Sequence, residues 1–203
     1  MTGNFLGEPP LTPGAQALYD EDLAEDGYVG SGARLWAYQP EAVRELFALM
    51  SRAYRASGLT FRQCAILVTA TASTLGDSAC SMGWGGKLAN VSDPATAAAV
   101  LTGTDTGLTE QDRALADWAR KVVRDPNATT AADVQVLRDC GLDDGQIFAV
   151  TTYIALRLAF STVNDALGLH PDAQLAQSLP SAVLDAVTNG RPAGSTSRAC
   201  SAA

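Results

Sequence analysis

Apolar residues recur along most of this chain at spacings of three and four, and capping residues punctuate the recurrences. In PEAVRELFALMSRAYRASG, Val43, Leu46, Phe47, Met50 and Tyr54 fall on one helical face. Pro40 stands in the first turn, where a missing N–H costs nothing, and Gly58 closes the segment. LTFRQCAILVTATASTLG is apolar on almost every side, which predicts a buried helix capped by Thr60. Its β-branched residues, Ile66 and Val68 among them, make a strand the competing reading. Length favours the helix, because strands rarely exceed about ten residues. Gly76 ends this segment and Asp77 caps the next, GDSACSMGWGGKLA.

Before these lie AQALYDEDLAEDGYVG, a short helix ended before Gly27, and residues 1–14, rich in glycine and proline and read as a loose arm. After them PATAAAVL predicts a small helix and TGTDTG a turn. Three further helices have marked starts: Thr109 with Gln111 and Asp112 just inside, Thr129 or Thr130 before Asp133, and Asp143 or Asp144. The last, DDGQIFAVTTYIALRLAFSTVNDALG, is apolar nearly all round and is expected to run through the core. SAVLDAVTNG predicts a final short helix, and residues 191–203 a disordered tail. No alternating strand ladder appears. The expectation is all-α: one helical domain over residues 15–190, with its motif region at 60–90.

The 203 residues, 47% of them apolar, suffice for one globular core. A net charge of -8 disfavours nucleic acid and anionic membranes. No apolar stretch of about 20 residues lacks charges, which argues against a membrane span. Met1 to Pro13 has no basic region and no apolar core, so the cytoplasm is the expected location. Cys64, Cys80, Cys140 and Cys200 are too far apart for a zinc pattern, and His170 is the one histidine, so no metal is expected. No glycine fingerprint for a nucleotide or flavin appears, so no organic cofactor is expected either.

The chemistry gathers at residues 76–89. As third residue of a helix capped by Asp77, Cys80 sits beside unpaired N–H groups and the positive end of the helix dipole. Both favour a thiolate. The Asp77 charge pushes the other way if it lies near the sulfur, and a carboxylate there can also take the thiol proton. Trp84 and Lys87 follow on the same helical stripe. Gly83, Gly85 and Gly86 lie among Cys80, Trp84 and Lys87, a costly choice in a helix unless a neighbouring helix or ligand approaches the backbone. Elsewhere, His170 reads as a helix-end cap. Arg157, Asn164 and Asp165 read as a buried polar network or a pocket lining, and Trp36 and Trp118 as core or interface residues.

D-S-A-C-S-M-G-W resembles the core of the carboxymuconolactone decarboxylase and alkylhydroperoxidase (AhpD-like) family. That family carries C-x-x-C-x-x-x-H, with a glutamate twelve residues before the first cysteine. Cys80 matches the second, peroxide-attacking cysteine. Asp77 stands in place of the first, resolving cysteine, Trp84 in place of histidine and Ala65 in place of glutamate. The helical layout of roughly residues 40–175 is similar too. The resemblance implies an AhpD-like helical bundle and a thiol-dependent, peroxidase-related activity at Cys80, with a low thiol pKa. Asp77 and Ser78 would position or activate the thiol, and Trp84, Lys87 and Cys64 would line the substrate pocket. It also implies a homo-oligomer. Since Asp77 forms no disulfide, resolution would fall to an external thiol or to Cys64. Two alternatives follow from the departures: a decarboxylase or isomerase of a small organic acid held by Lys87 or Arg157, or an inactive oligomeric ligand binder.

Overall fold

A computed structural model describes residues 4–194. Among them are eleven α-helices and no strand. Helices α1 (Pro13–Glu25) and α2 (Ser31–Trp36) lead into α3 (Pro40–Ser57), α4 (Phe61–Leu75) and α5 (Ser78–Val91). Then come α6 (Pro94–Thr102), α7 (Glu110–Arg124), a short 3-10 turn at Pro126–Ala128, and α8 (Ala131–Asp139). The long α9 (Asp144–Ala166) precedes two short helices, α10 (Ala173–Ser178) and α11 (Ser181–Ala186).

The apolar-all-round α4 is the axis of the bundle. Every residue from Cys64 to Ala72 is buried, and α5, α6, α7 and α9 pack around it. Its ends follow from its sequence. The Thr60 hydroxyl accepts the Gln63 N–H in a reciprocal capping box, and Gly76 takes the left-handed conformation at φ 88°. Capping boxes also start α7 at Thr109 with Asp112, α8 at Thr130 rather than Thr129, and α9 at Asp143 with Gln146.

Three sequence expectations need correction. Helix α9 does not run through the core on all sides. Ile147, Val150, Tyr153, Ile154, Arg157, Ser161 and Asn164 face inward, while Phe148 is 75% exposed. By length and composition α9 is apolar enough to cross a bilayer, yet its inward face packs along α3 and α4. The arm is docked where it is described. Phe5 N–H donates to the Leu167 carbonyl at 2.8 Å, and the Arg191 guanidinium lies 5.2 Å from the Phe5 ring. Residues 191–194 of the expected tail are ordered as well, and Cys200 lies outside the described residues.

That C-terminal segment forms a strap across the start of α5. Gly190, at φ 79°, passes so close that a β-carbon on it would fall 2.4 Å from the Gly76 carbonyl oxygen and 2.8 Å from Ser78 N. The Ser78 hydroxyl donates to the Arg191 carbonyl at 2.7 Å. Gly194 N–H reaches the Pro171 carbonyl at 2.9 Å, and His170 Nδ1 lies 3.0 Å from the Pro192 carbonyl. His170 therefore holds the strap.

Candidate functional site

Asp77 begins α5 as the sequence requires. Its Oδ1 accepts the Cys80 N–H at 2.9 Å, which fixes the first turn and the thiol on it. The turn is sealed by α4 and the strap, so Asp77 is fully buried and Cys80 is 8% exposed. Helix α9 supplies the other wall. Tyr153, Arg157, Ser161 and Asn164 recur on its inward face at helical spacing. Arg157 Nη2 donates to Cys80 Sγ at 3.4 Å, and Ser161 Oγ does so at 3.7 Å. The guanidinium also lies over two rings, 5.2 Å from the Trp84 centroid and 5.5 Å from that of Phe160.

The electrostatics overturn the expected low thiol pKa. Burial, then the Asp77 negative charge, push the Cys80 thiol up to about 12, against the lowering pull of Arg157. Desolvation outweighs the helix dipole here because the buried sulfur has little water to share a thiolate charge. At neutral pH the resting group is the thiol. Asp165, in the last turn of α9, is raised to about 6 by burial and then by the Asp77 charge.

Two polar atoms of this cluster lack a hydrogen-bond partner: Asp77 Oδ2 and Arg157 Nε. Among the described residues Arg157 makes no ion pair with a carboxylate. A buried donor and a buried acceptor, each left open, cost free energy that nothing in the resting protein returns.

The other expected site residues divide. Trp84 walls the Arg157 guanidinium, with Lys87 Nζ 4.8 Å from its centroid. Ser78 faces the strap instead of the thiol, and Ser161 supplies the hydroxyl at the sulfur. Cys64 is 2% exposed and pairs with the Tyr153 hydroxyl at 3.7 Å, so it belongs to the core. Burial pushes its thiol pKa up as well. Arg157, Asn164 and Asp165 do not form one network. Asn164 accepts the Trp36 indole N–H at 2.8 Å, and the Asp165 carbonyl accepts from Arg191 at 2.9 Å. Ser161 was missed by sequence reasoning, although it lies one turn beyond Arg157 on the same face.

The glycines of α5 serve close approach. A β-carbon on Gly86 would fall 2.6 Å from Leu179 Cδ2, and one on Gly85 3.0 Å from Val183 Cγ1. Gly83 and Gly86, with Lys87, floor a cavity of about 560 Å³ whose opposite rim carries Asp22, Glu25 and Asp172. A second cavity of about 380 Å³, lined by Trp36, Phe47 and Phe160, adjoins it through Asp22 and Phe47. Phe47, expected on the apolar stripe of α3, therefore faces this groove and is 45% exposed. Neither cavity is lined by Cys80. No group of three or more His, Cys, Asp or Glu residues suited to a metal ion occurs among the described residues.

No protein-family model matches the chain, and no curated protein matches it in sequence. Solved structures do match its fold. The AhpD core of an uncharacterized peroxidase-related protein from Ralstonia eutropha JMP134 superposes with a TM-score of 0.76 at 21% identity, covering 85% of this chain and 94% of that one. An uncharacterized peroxidase-related protein from Silicibacter sp. TM1040 gives 0.74 at 19%, with the same coverage. The debrominase Bmp8, in its apo form, gives 0.69 at 13%, covering 91% and 97%. The chain thus has the AhpD-like helical fold.

Proposed function

We propose that this chain is an AhpD-like, thiol-dependent enzyme that reduces hydroperoxides through Cys80. One observation carries the reading: two donors on α9, Arg157 Nη2 and Ser161 Oγ, converge on the Cys80 sulfur opposite a buried carboxylate. Donors at a sulfur stabilise its anion, and a neighbouring carboxylate receives its proton. The fold match to peroxidase-related proteins supports the same chemistry.

In this reading the hydroperoxide binds first, and Asp77 takes the thiol proton as the sulfur attacks. The sulfur attacks one peroxide oxygen, an S–O bond forms and the O–O bond breaks. Cys80 becomes a sulfenic acid, and the leaving oxygen takes the proton and departs as an alcohol or water. An external thiol then attacks the sulfenic sulfur, releases water and forms a mixed disulfide. A second thiol frees Cys80 and leaves as the oxidised disulfide. Cys64, tied to Tyr153 in the core, is not assigned the resolving role. Assembly into a homo-oligomer is part of this proposal.

The organic-acid alternative is disfavoured by charge. Lys87 sits in a cavity opposite Asp22, Glu25 and Asp172, which repel a carboxylate substrate. The test is the rate at which hydrogen peroxide converts Cys80 to a sulfenic acid, trapped and located by mass spectrometry. Modification confined to Cys80 and faster than at Cys200 supports the reading. A Cys80 no faster than Cys200 refutes it.

A further inference from the structure

Arg157 Nε and Asp77 Oδ2 are the two buried polar atoms beside Cys80 with no hydrogen-bond partner. They belong to side chains 5% and 0% exposed. One is a donor and the other an acceptor. Both side chains already touch the residue that would react, Arg157 through its sulfur and Asp77 through its backbone N–H. A ligand that satisfies both atoms must offer an acceptor and a donor beside the Cys80 sulfur.

We propose that Arg157 Nε and Asp77 Oδ2 form the binding pair for the substrate's two oxygens, a role that rests on the hydroperoxide reading above. The O–H of the hydroperoxide donates to Asp77 Oδ2, and the other oxygen accepts from Arg157 Nε. The pair selects a neutral R–O–O–H. A carboxylate would satisfy Arg157 and be repelled by Asp77, and a halide carries no hydrogen for Asp77. When sulfur attacks, the O–O bond breaks, sulfur is oxidised to sulfenic acid and the peroxide is reduced to ROH. Charge grows on the leaving oxygen as it forms, and a fixed N–H beside it in a dry site stabilises that charge.

Two substitutions separate this role from a general effect on the thiol. Each is measured with hydrogen peroxide and with iodoacetamide, an alkylating reagent that presents no peroxide to bind. Asp77→Asn keeps a capping residue and removes the charge that raises the thiol pKa. Alkylation of Cys80 should rise about tenfold, as loss of a neighbouring charge lowers the pKa by roughly one unit or more. Oxidation by peroxide should instead fall by about 10²-fold. Arg157→Lys keeps a cation and removes both Nε and the Nη2 donor at the sulfur. Oxidation should fall by about 10²-fold, and alkylation, which loses only the Nη2 donor, by about tenfold or less.

Opposed responses in Asp77→Asn, and a loss of oxidation at least tenfold larger than that of alkylation in Arg157→Lys, are the expected result. Oxidation and alkylation moving together in both variants overturns the binding pair and leaves the thiol peroxidase reading standing. A parent protein whose Cys80 gives no sulfenic acid overturns both.

Discussion

Two arginines are buried among the described residues, and they are treated in opposite ways. Arg120 on α7 is 7% exposed, and its fork closes on Asp105 at 2.6 and 2.8 Å. Its remaining contacts go to the Val100 carbonyl and Asp117. Asp105 sits at φ 52°, a conformation uncommon outside glycine, and the guanidinium pins it. Arg157 on α9 is 5% exposed and has a thiol, two aromatic faces and an open Nε. One cation is closed by its own chain, so it fastens a turn to a helix. The other is closed on three sides only, and the open side faces the chemistry. Burial alone does not separate a structural charge from a functional one; the completeness of its partners does.

The comparison breaks most visibly in stability. Arg120→Met leaves Asp105 buried and unpaired, and should cost about 3–5 kcal/mol in urea denaturation. Cys80 oxidation per folded molecule should stay unchanged. Arg157→Met removes a desolvated cation with no carboxylate partner, and should move stability by about 1 kcal/mol or less, in either direction. Its oxidation by peroxide should collapse. If Arg157→Met unfolds the protein as Arg120→Met does, the contrast is wrong.

A smaller effect sharpens the open side. Asp165 is raised to about 6 in the folded protein, against an ordinary value near 3.8. Between those values the native state holds the extra proton, so the Asp165 contribution is complete below about 3.8. It is lost as pH rises through about 6. Asp165→Asn should therefore stabilise the protein at pH 7 by about 0.5 kcal/mol after solvent screening, with no gain at acid pH. Equal stabilisation at both pH values would remove the assigned cause.

The local grammar was readable from the chain. Thr60, Asp77, Thr109 and Asp143 cap the helices they were expected to cap, because a cap is decided within four residues. The burial of α4 was also readable, since no polar face competed for the outside. What failed depends on distant residues. The lowered thiol pKa assumed a helix end open to water, whereas α9, about 80 residues away in sequence, brings Arg157 and Ser161 onto the buried sulfur. Ser161 reaches the sulfur only because α9 crosses α5, and no local signal distinguishes it from the exposed serines of the same chain. Helices α2 and α10 went unseen. Each has six residues, and neither has a side-chain cap bond within its own first turn. Asp172 instead reaches Ser31 N from across the sequence.

The burial of Cys80 has a kinetic consequence. A sulfur this buried meets a dissolved reagent during excursions that open the start of α5. Its observed reactivity is then an intrinsic rate multiplied by an opening constant, the relation that governs exchange of a protected amide hydrogen. Each 1.4 kcal/mol of opening free energy slows modification by about tenfold. Cys80 thus serves as a clock for this end of the bundle, and its labelling time counts the moments at which the sulfur is uncovered.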